Sequence, residues 1–232
     1  TSSKECVKCS TGTVSTYGES SCTNCTAGYY TSDDNSTCDG CPHGKYVDQH
    51  LQTSLESCRN CTHGRYSSAT GVASAVGCNA CSAGKYSQEV GMIQELACKE
   101  CGIGQHQDAP GNDTCLNCTA GRYMNGKGAV NCLDCNSGLY QNELSQVTCK
   151  SCDLGSYQDA TGNTTCRDCP KGFFNIALKS TGCNAVPPGF YKFNGTSKKC
   201  DPGHFCEGEA ANQTTCPPGS YATNEGSIAC IE

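Results

Sequence analysis

The sequence predicts a small disulfide-rich fold, mostly irregular with short β-hairpins, whose tandem repeats stack into an extended rod. Three observations carry that expectation. Cysteine accounts for 25 of 232 residues, ten C-x2-C pairs recur at near-constant intervals, and large apolar side chains are scarce. Val, Ile, Leu and Phe together number 28, and there is no Trp. So polar a chain would ordinarily stay disordered. Cysteine at this density points instead to a scaffold held by crosslinks rather than by buried hydrocarbon.

The cysteines come first because they fix the compartment. Disulfides persist in oxidising surroundings, which places the chain in the secretory pathway, extracellular or at a cell surface. The net charge of −6 is modest and carries no basic stripe, which excludes the usual nucleic-acid binder. No apolar run approaches 18 residues, so no membrane span is read in this segment. No leader is visible either, and the segment reads as mature or internal.

The repeat comes next. The pairs are Cys6/Cys9, Cys22/Cys25, Cys38/Cys41, Cys58/Cys61, Cys78/Cys81, Cys98/Cys101, Cys115/Cys118, Cys132/Cys135, Cys149/Cys152 and Cys166/Cys169. Their starts lie 16, 16, 20, 20, 20, 17, 17, 17 and 17 residues apart. Three residues after each second cysteine stands a glycine, from Gly12 to Gly172, and two further on an aromatic in all but two cases, Val14 and His106. The glycine suits a turn that needs positive φ. The aromatic supplies the largest apolar face in each repeat, and packing on a neighbour's disulfide is its expected role, with ligand contact as the alternative.

Spacing then selects a wiring in which the second cysteine of each pair bonds the first of the next. This gives Cys9–Cys22, Cys25–Cys38, Cys41–Cys58, Cys61–Cys78, Cys81–Cys98, Cys101–Cys115, Cys118–Cys132, Cys135–Cys149, Cys152–Cys166 and Cys169–Cys183. Val186 stands where the partner of Cys183 in a pair would be, with Gly189 and Tyr191 following in phase. That repeat has no staple, which frees Cys200 for Cys206 and leaves Cys216–Cys230 to follow the rule. A crossed alternative, Cys200–Cys216 with Cys206–Cys230, stays open. Cys6 is left over, and its partner is expected upstream. Residues 1–183 are therefore read as about ten tandem repeats, with longer loops in 41–98. Residues 184–199 form a repeat lacking its disulfide, and 200–232 a variant repeat plus the start of a further array. The array is expected to continue beyond both ends.

Other chemistry is sparse. C-x2-C pairs also suit zinc, but zinc takes two pairs per ion, and here every interval is alike with no alternation. The five histidines show no ligand spacing, and "SDDNST", Ser32 to Thr37, lacks a full calcium-loop signature. No catalytic motif is present, so neither enzyme activity nor a cofactor or metal is expected. Sequons are the exception to this poverty. Eight occur, at Asn24, Asn35, Asn60, Asn112, Asn117, Asn163, Asn194 and Asn212, against about three by chance. N-linked glycans are the expected modification, with unused sequons as the bland alternative.

The unit C-x2-G-x-Y…C-x2-C resembles the ephrin-receptor-like cysteine-rich repeat, a relative in style of tumour-necrosis-factor-receptor modules. "CSAGKYSQEV", "CPKGFF" and "CPPGSYATNEGSIAC" carry the likeness, and "CDPGHFCEG" resembles a variant of it. The resemblance spans nearly the whole chain and implies either a receptor ectodomain or a large surface protein of algal or other protist type. Val186 and the uniform spacing depart from the crossed six-cysteine module of the tumour-necrosis-factor receptors.

The long loops between Cys41 and Cys98 add apolar side chains, and Leu51, Leu55, Val76, Met92, Ile93 and Leu96 are the candidate lateral contact, with Val47, Val72 and Val90 beside them. Local packing of each larger loop is the alternative. The function expected is a glycosylated structural protein, a disulfide-stapled stalk or subunit of a cell-surface filament, coat or appendage. Its partners would be copies of itself or other extracellular proteins. The other expectation is a ligand-binding or adhesive receptor ectodomain.

Overall fold

The phrase after each second cysteine is a turn that launches a strand. In the computed structural model, which describes residues 6–232, the Lys45 N–H donates to the Pro42 carbonyl (3.1 Å), Arg65 to Thr62 (3.1 Å) and Leu139 to Asn136 (3.0 Å). The third residue of such a turn sits at positive φ, which glycine takes without strain. Gly44, Gly64 and Gly138 lie there, at 75°, 67° and 79°. The two residues after the glycine then form a strand. Lys45–Tyr46 pairs antiparallel with Arg59–Asn60, and Leu139–Tyr140 with Lys150–Ser151, so each hairpin closes on the next C-x2-C. Every sheet among the described residues has two strands. The three longest repeats add a single 3-10 turn, at Leu55–Ser57, Ala75–Gly77 and Glu95–Ala97.

The chain divides into two compact units. One contains the residues up to Leu116 with Gly126–Asn131, and the other contains Asn117–Asn125 with Cys132–Glu232. Within each unit three backbone hydrogen bonds recur between a repeat and its successor, although the Gly155 N–H donates to the Asn175 side-chain oxygen instead (2.8 Å). In the first unit Gly44 N–H donates to the Ser67 carbonyl (2.9 Å), Val47 N–H to Val72 (3.1 Å) and Gly71 N–H to Cys41 (2.8 Å). In the second, Gly138 donates to Gln158 (2.7 Å), Gln141 to Asn163 (3.1 Å) and Gly162 to Cys135 (2.8 Å). These bonds satisfy groups that hairpins of two-residue strands leave unpaired.

The loops reach further than one neighbour. A Cβ on Gly44 would run into the Gly91 carbonyl, one on Gly64 into Gly111, and one on Gly138 into Lys179. In each case the obstacle lies two repeats downstream. The glycine thus serves the turn and the close approach together.

What fills the interior is small. The second cysteines Cys25, Cys41, Cys61, Cys81, Cys101, Cys118, Cys135 and Cys152 are fully buried. Tyr30 packs on Cys41, Val47 and Cys58 of the next repeat, and Tyr66 on Cys81, Met92 and Cys98. The residue six beyond the second cysteine is also buried in most repeats, half-buried at Ser15 and Met124, and its identity follows loop length. Long loops carry Val47, Ser67 or Ser87 there, whereas three of the shorter ones carry Gln107, Gln141 or Gln158.

Each of these glutamines braces its own loop. The Gln141 amide donates to the Thr148 carbonyl (2.8 Å), and its oxygen accepts the Glu143 N–H (3.1 Å). Gln107 and Gln158 make the equivalent bonds, to Thr114 and Ala109 and to Thr165 and Ala160. Replacing Gln141 by Leu would orphan two backbone groups. A local cost of about 1–3 kcal/mol is expected, read as faster hydrogen exchange at Glu143 than at its counterpart Ala160.

Candidate functional site

From Cys9 to Cys183 the crosslinks form an unbroken series. In the structure Cys9 is bonded to Cys22, Cys25 to Cys38, Cys41 to Cys58, Cys61 to Cys78, Cys81 to Cys98 and Cys101 to Cys115. Cys118 is bonded to Cys132, Cys135 to Cys149, Cys152 to Cys166 and Cys169 to Cys183. The two positions left open by spacing resolve as Cys200–Cys206 and Cys216–Cys230. Cys6 is exposed and unbonded.

The segment that breaks the regularity keeps its backbone plan. Val186, 1% exposed, fills the space of a second cysteine. Its N–H donates to the Gly172 carbonyl (2.8 Å), and its carbonyl accepts the Glu209 N–H (2.8 Å). The junction therefore survives without sulfur. Cys206 stands six residues beyond Cys200, at the buried position that Gln141 and Gln158 fill elsewhere, so its bond to Cys200 braces one repeat internally. Tyr191 completes that cluster. The unstapled repeat compensates with the longest strands among the described residues, Phe190–Phe193 and Thr196–Lys199. It also lacks the loop that would offer an N–H to Cys169, and the Lys192 ammonium donates to that carbonyl instead (2.7 Å).

The same segment carries one of the ion pairs. Lys198 pairs with Asp201 (3.2 Å), and the Gln213 amide donates to the other oxygen of that carboxylate (3.1 Å). The hydrogen bond to Asp201 raises the Lys198 pKa, and the bond from Lys198 lowers that of Asp201. Elsewhere the "SDDNST" loop is an Asp-centred turn. Ser32 and Ser36 hydroxyls donate to Asp34 (2.6 and 2.7 Å), with the Ser36 N–H (3.1 Å), and hold its carboxyl at about 2.

The sequons fall into distinct settings. Asn24, Asn35, Asn60, Asn117, Asn194 and Asn212 are exposed, while Asn112 and Asn163 are half-buried. The latter two belong to junctions, their carbonyls accepting the Ser87 and Gln141 N–H groups.

The apolar loops require one correction. Met92 is buried at 5%, packed on Cys81 and Cys98, and offers no lateral contact. The cause is the junction itself. Its carbonyl accepts the Ser67 N–H (2.9 Å), which turns the side chain inward, and Val72 at the equivalent position is buried for the same reason. Val47 is buried too. Leu51, Leu55, Val76, Ile93 and Leu96 are exposed, Val76 and Leu96 almost completely.

Sequence reasoning missed the glutamine braces, although the text Y-Q followed by T-C recurs at Gln141 and Gln158 and is varied only by His106 before Gln107. It also missed the positively twisted residue ten beyond the second cysteine. That site is glycine at 71, 91, 111, 128 and 162, but Leu51, Ser145 and Lys179 in other repeats, so glycine counting does not find it.

Comparison with known proteins adds one match. The family model described as tyrosine-protein kinase ephrin type A/B receptor-like matches residues 121–152 and 138–185. No curated protein matches the chain. No helix among the described residues is long and apolar enough to cross a membrane.

Proposed function

We propose that the chain, whose residues 121–185 match the ephrin-receptor-like family model, serves outside the cell as a structural, non-enzymatic element, a glycosylated stalk or subunit of a cell-surface filament, coat or appendage. The observation that supports this reading most is the junction. At most junctions three bonds between main-chain groups tie successive repeats, so stacking asks little of the side chains there. Surfaces are then free to carry sugar or lateral contacts, which suits a building block. Leu51, Val76 and Ile93 supply an apolar surface for self-association.

A second reading, a ligand-binding or adhesive ectodomain, draws on one observation. The segment 184–215 interrupts the repeat with a missing staple, a long hairpin and an intra-repeat disulfide.

Negative-stain imaging of native material is the test. Assemblies with an axial repeat, lost when Leu51, Val76 and Ile93 are changed to Ser, are the expected result. Separate molecules under all conditions would turn the assignment to the second reading.

A further inference from the structure

We propose that Asn194 carries an N-linked glycan that stiffens the hairpin of the one repeat lacking its disulfide, by packing the first sugar against Phe193. The argument begins with the turn. Strands Phe190–Phe193 and Thr196–Lys199 are joined by two residues, Asn194 and Gly195, at φ 45° and 78°. Two positive values define the tight turn whose twist matches paired strands, for which Asn-Gly is the preferred sequence. The same residues, with Thr196, spell a sequon. Asn194 is exposed, and no hydrogen bond holds its amide as the Ala109 carbonyl holds that of Asn112.

Phe193 makes this sequon unlike the other seven. It immediately precedes Asn194, lies directly across the hairpin from Thr196, and is 47% exposed. None of the other sequons is preceded by an aromatic. The Lys198 ammonium lies over the Phe193 ring, 5.8 Å from its centroid, and Tyr191 meets it edge-on at 6.1 Å. The exposed remainder attracts groups with positive edges, and the C–H-rich face of a pyranose is such a group. Thr196 hydroxyl donates to the Phe193 carbonyl (2.9 Å), closing the turn on that side.

The position also matters to the array. Gly195 lies against Leu154 and Gly155, with a notional Cβ only 3.2 Å from the Leu154 carbonyl. The tip of this hairpin therefore docks two repeats back, as the stapled loops do. In the stapled repeats a disulfide closes the loop that docks. Here, Val186 supplies no sulfur, and a sugar on the turn restrains the tip instead.

The modification is a group transfer. The Asn194 Nδ2 attacks the anomeric carbon of an N-acetylhexosamine in a lipid-pyrophosphate-linked oligosaccharide. The bond from that carbon to the pyrophosphate oxygen breaks, and the lipid pyrophosphate leaves with the electron pair. Nδ2 gives up one proton to a base of the transferase, and no oxidant or reductant takes part.

The inference rests on the secretory reading above, and its test separates the two. The chain is secreted from a eukaryotic host as wild type, Asn194→Asp, Phe193→Ser and the double variant. Asp-Gly keeps the turn, and Phe193→Ser keeps the sequon. Mass spectrometry reads occupancy, and hydrogen exchange reads the amides of 190–193 and 196–199. Asn194 is expected to be occupied. Loss of the sugar should speed exchange about two- to fivefold, the range of a good cross-strand contact, and this difference should vanish without Phe193. Sugar on Asn24 or Asn60 but not on Asn194 overturns the inference and leaves the secretory reading standing. No sugar at any sequon likewise overturns the inference, a chain that folds only with its cysteines reduced overturns the secretory reading, and an occupied Asn194 with unchanged exchange overturns the stiffening role.

Discussion

Treated with a thiol reductant in otherwise native buffer, the chain is expected to lose its fold entirely, while the oxidised chain resists heat. Most of its staples close loops with 13 to 17 residues of separation. Each such crosslink contributes about 3 kcal/mol by restricting the unfolded chain. The interior offers little to replace them, being cysteine, a tyrosine face and one further side chain per repeat. Ion pairs offer little too, since pairs such as Arg59–Asp48 and Lys99–Glu89 are largely exposed. Hydrogen exchange before and after reduction reads the effect. Protected amides at Cys61, Cys81 or Gly138 in the reduced chain would overturn the expectation.

The second large effect is expected at Gly138→Ala. Its φ of 79° costs an L-residue about 1–2 kcal/mol. Added to this, a Cβ there would strike the Lys179 carbonyl, a main-chain group that has no rotamer to escape into. Lys179 is itself held by its N–H bond to Cys152. Together these effects are expected to reach about 2–4 kcal/mol, with exchange accelerated at Lys179 and Gln158. Gly182→Ala is the control. Its Cβ meets nothing within 4 Å, and a change within about 0.5 kcal/mol is expected. Equal responses from the two variants would show that the cross-repeat contact has no energetic weight.

Gly138 also marks how far the sequence could be read. Its three-residue offset from Cys135 is legible because a turn demands a particular residue there, and the hairpin that follows is legible from Tyr140. The contact with Lys179 is not, because it joins main-chain atoms that every residue possesses. The same holds for the second junction bond, whose acceptor is the carbonyl of Val72, Met92, Asn112 or Asn163 in different repeats. No residue type is selected, so no signal reaches the text. Met92 shows the consequence, for an apolar residue in a polar loop looked like surface and is interior. The cysteines lie at the opposite extreme. Disulfide geometry ties two residues at fixed offsets, and Val186 could be recognised as the missing member because its glycine and tyrosine kept the phase.

The two-repeat reach of the loops sets a minimum size for any fragment that is to be excised and studied alone. A hairpin with a single downstream neighbour gains the three junction bonds but not the loop that lies over its glycine. Gly44 needs Gly91, and Gly138 needs Lys179. The smallest piece in which any repeat keeps all its downstream partners is therefore a run of three consecutive repeats, and only the first of them does. Lengthening the run by one completes one more member each time, so protection against exchange should climb stepwise with fragment length and always be lowest in the two members nearest the carboxyl end.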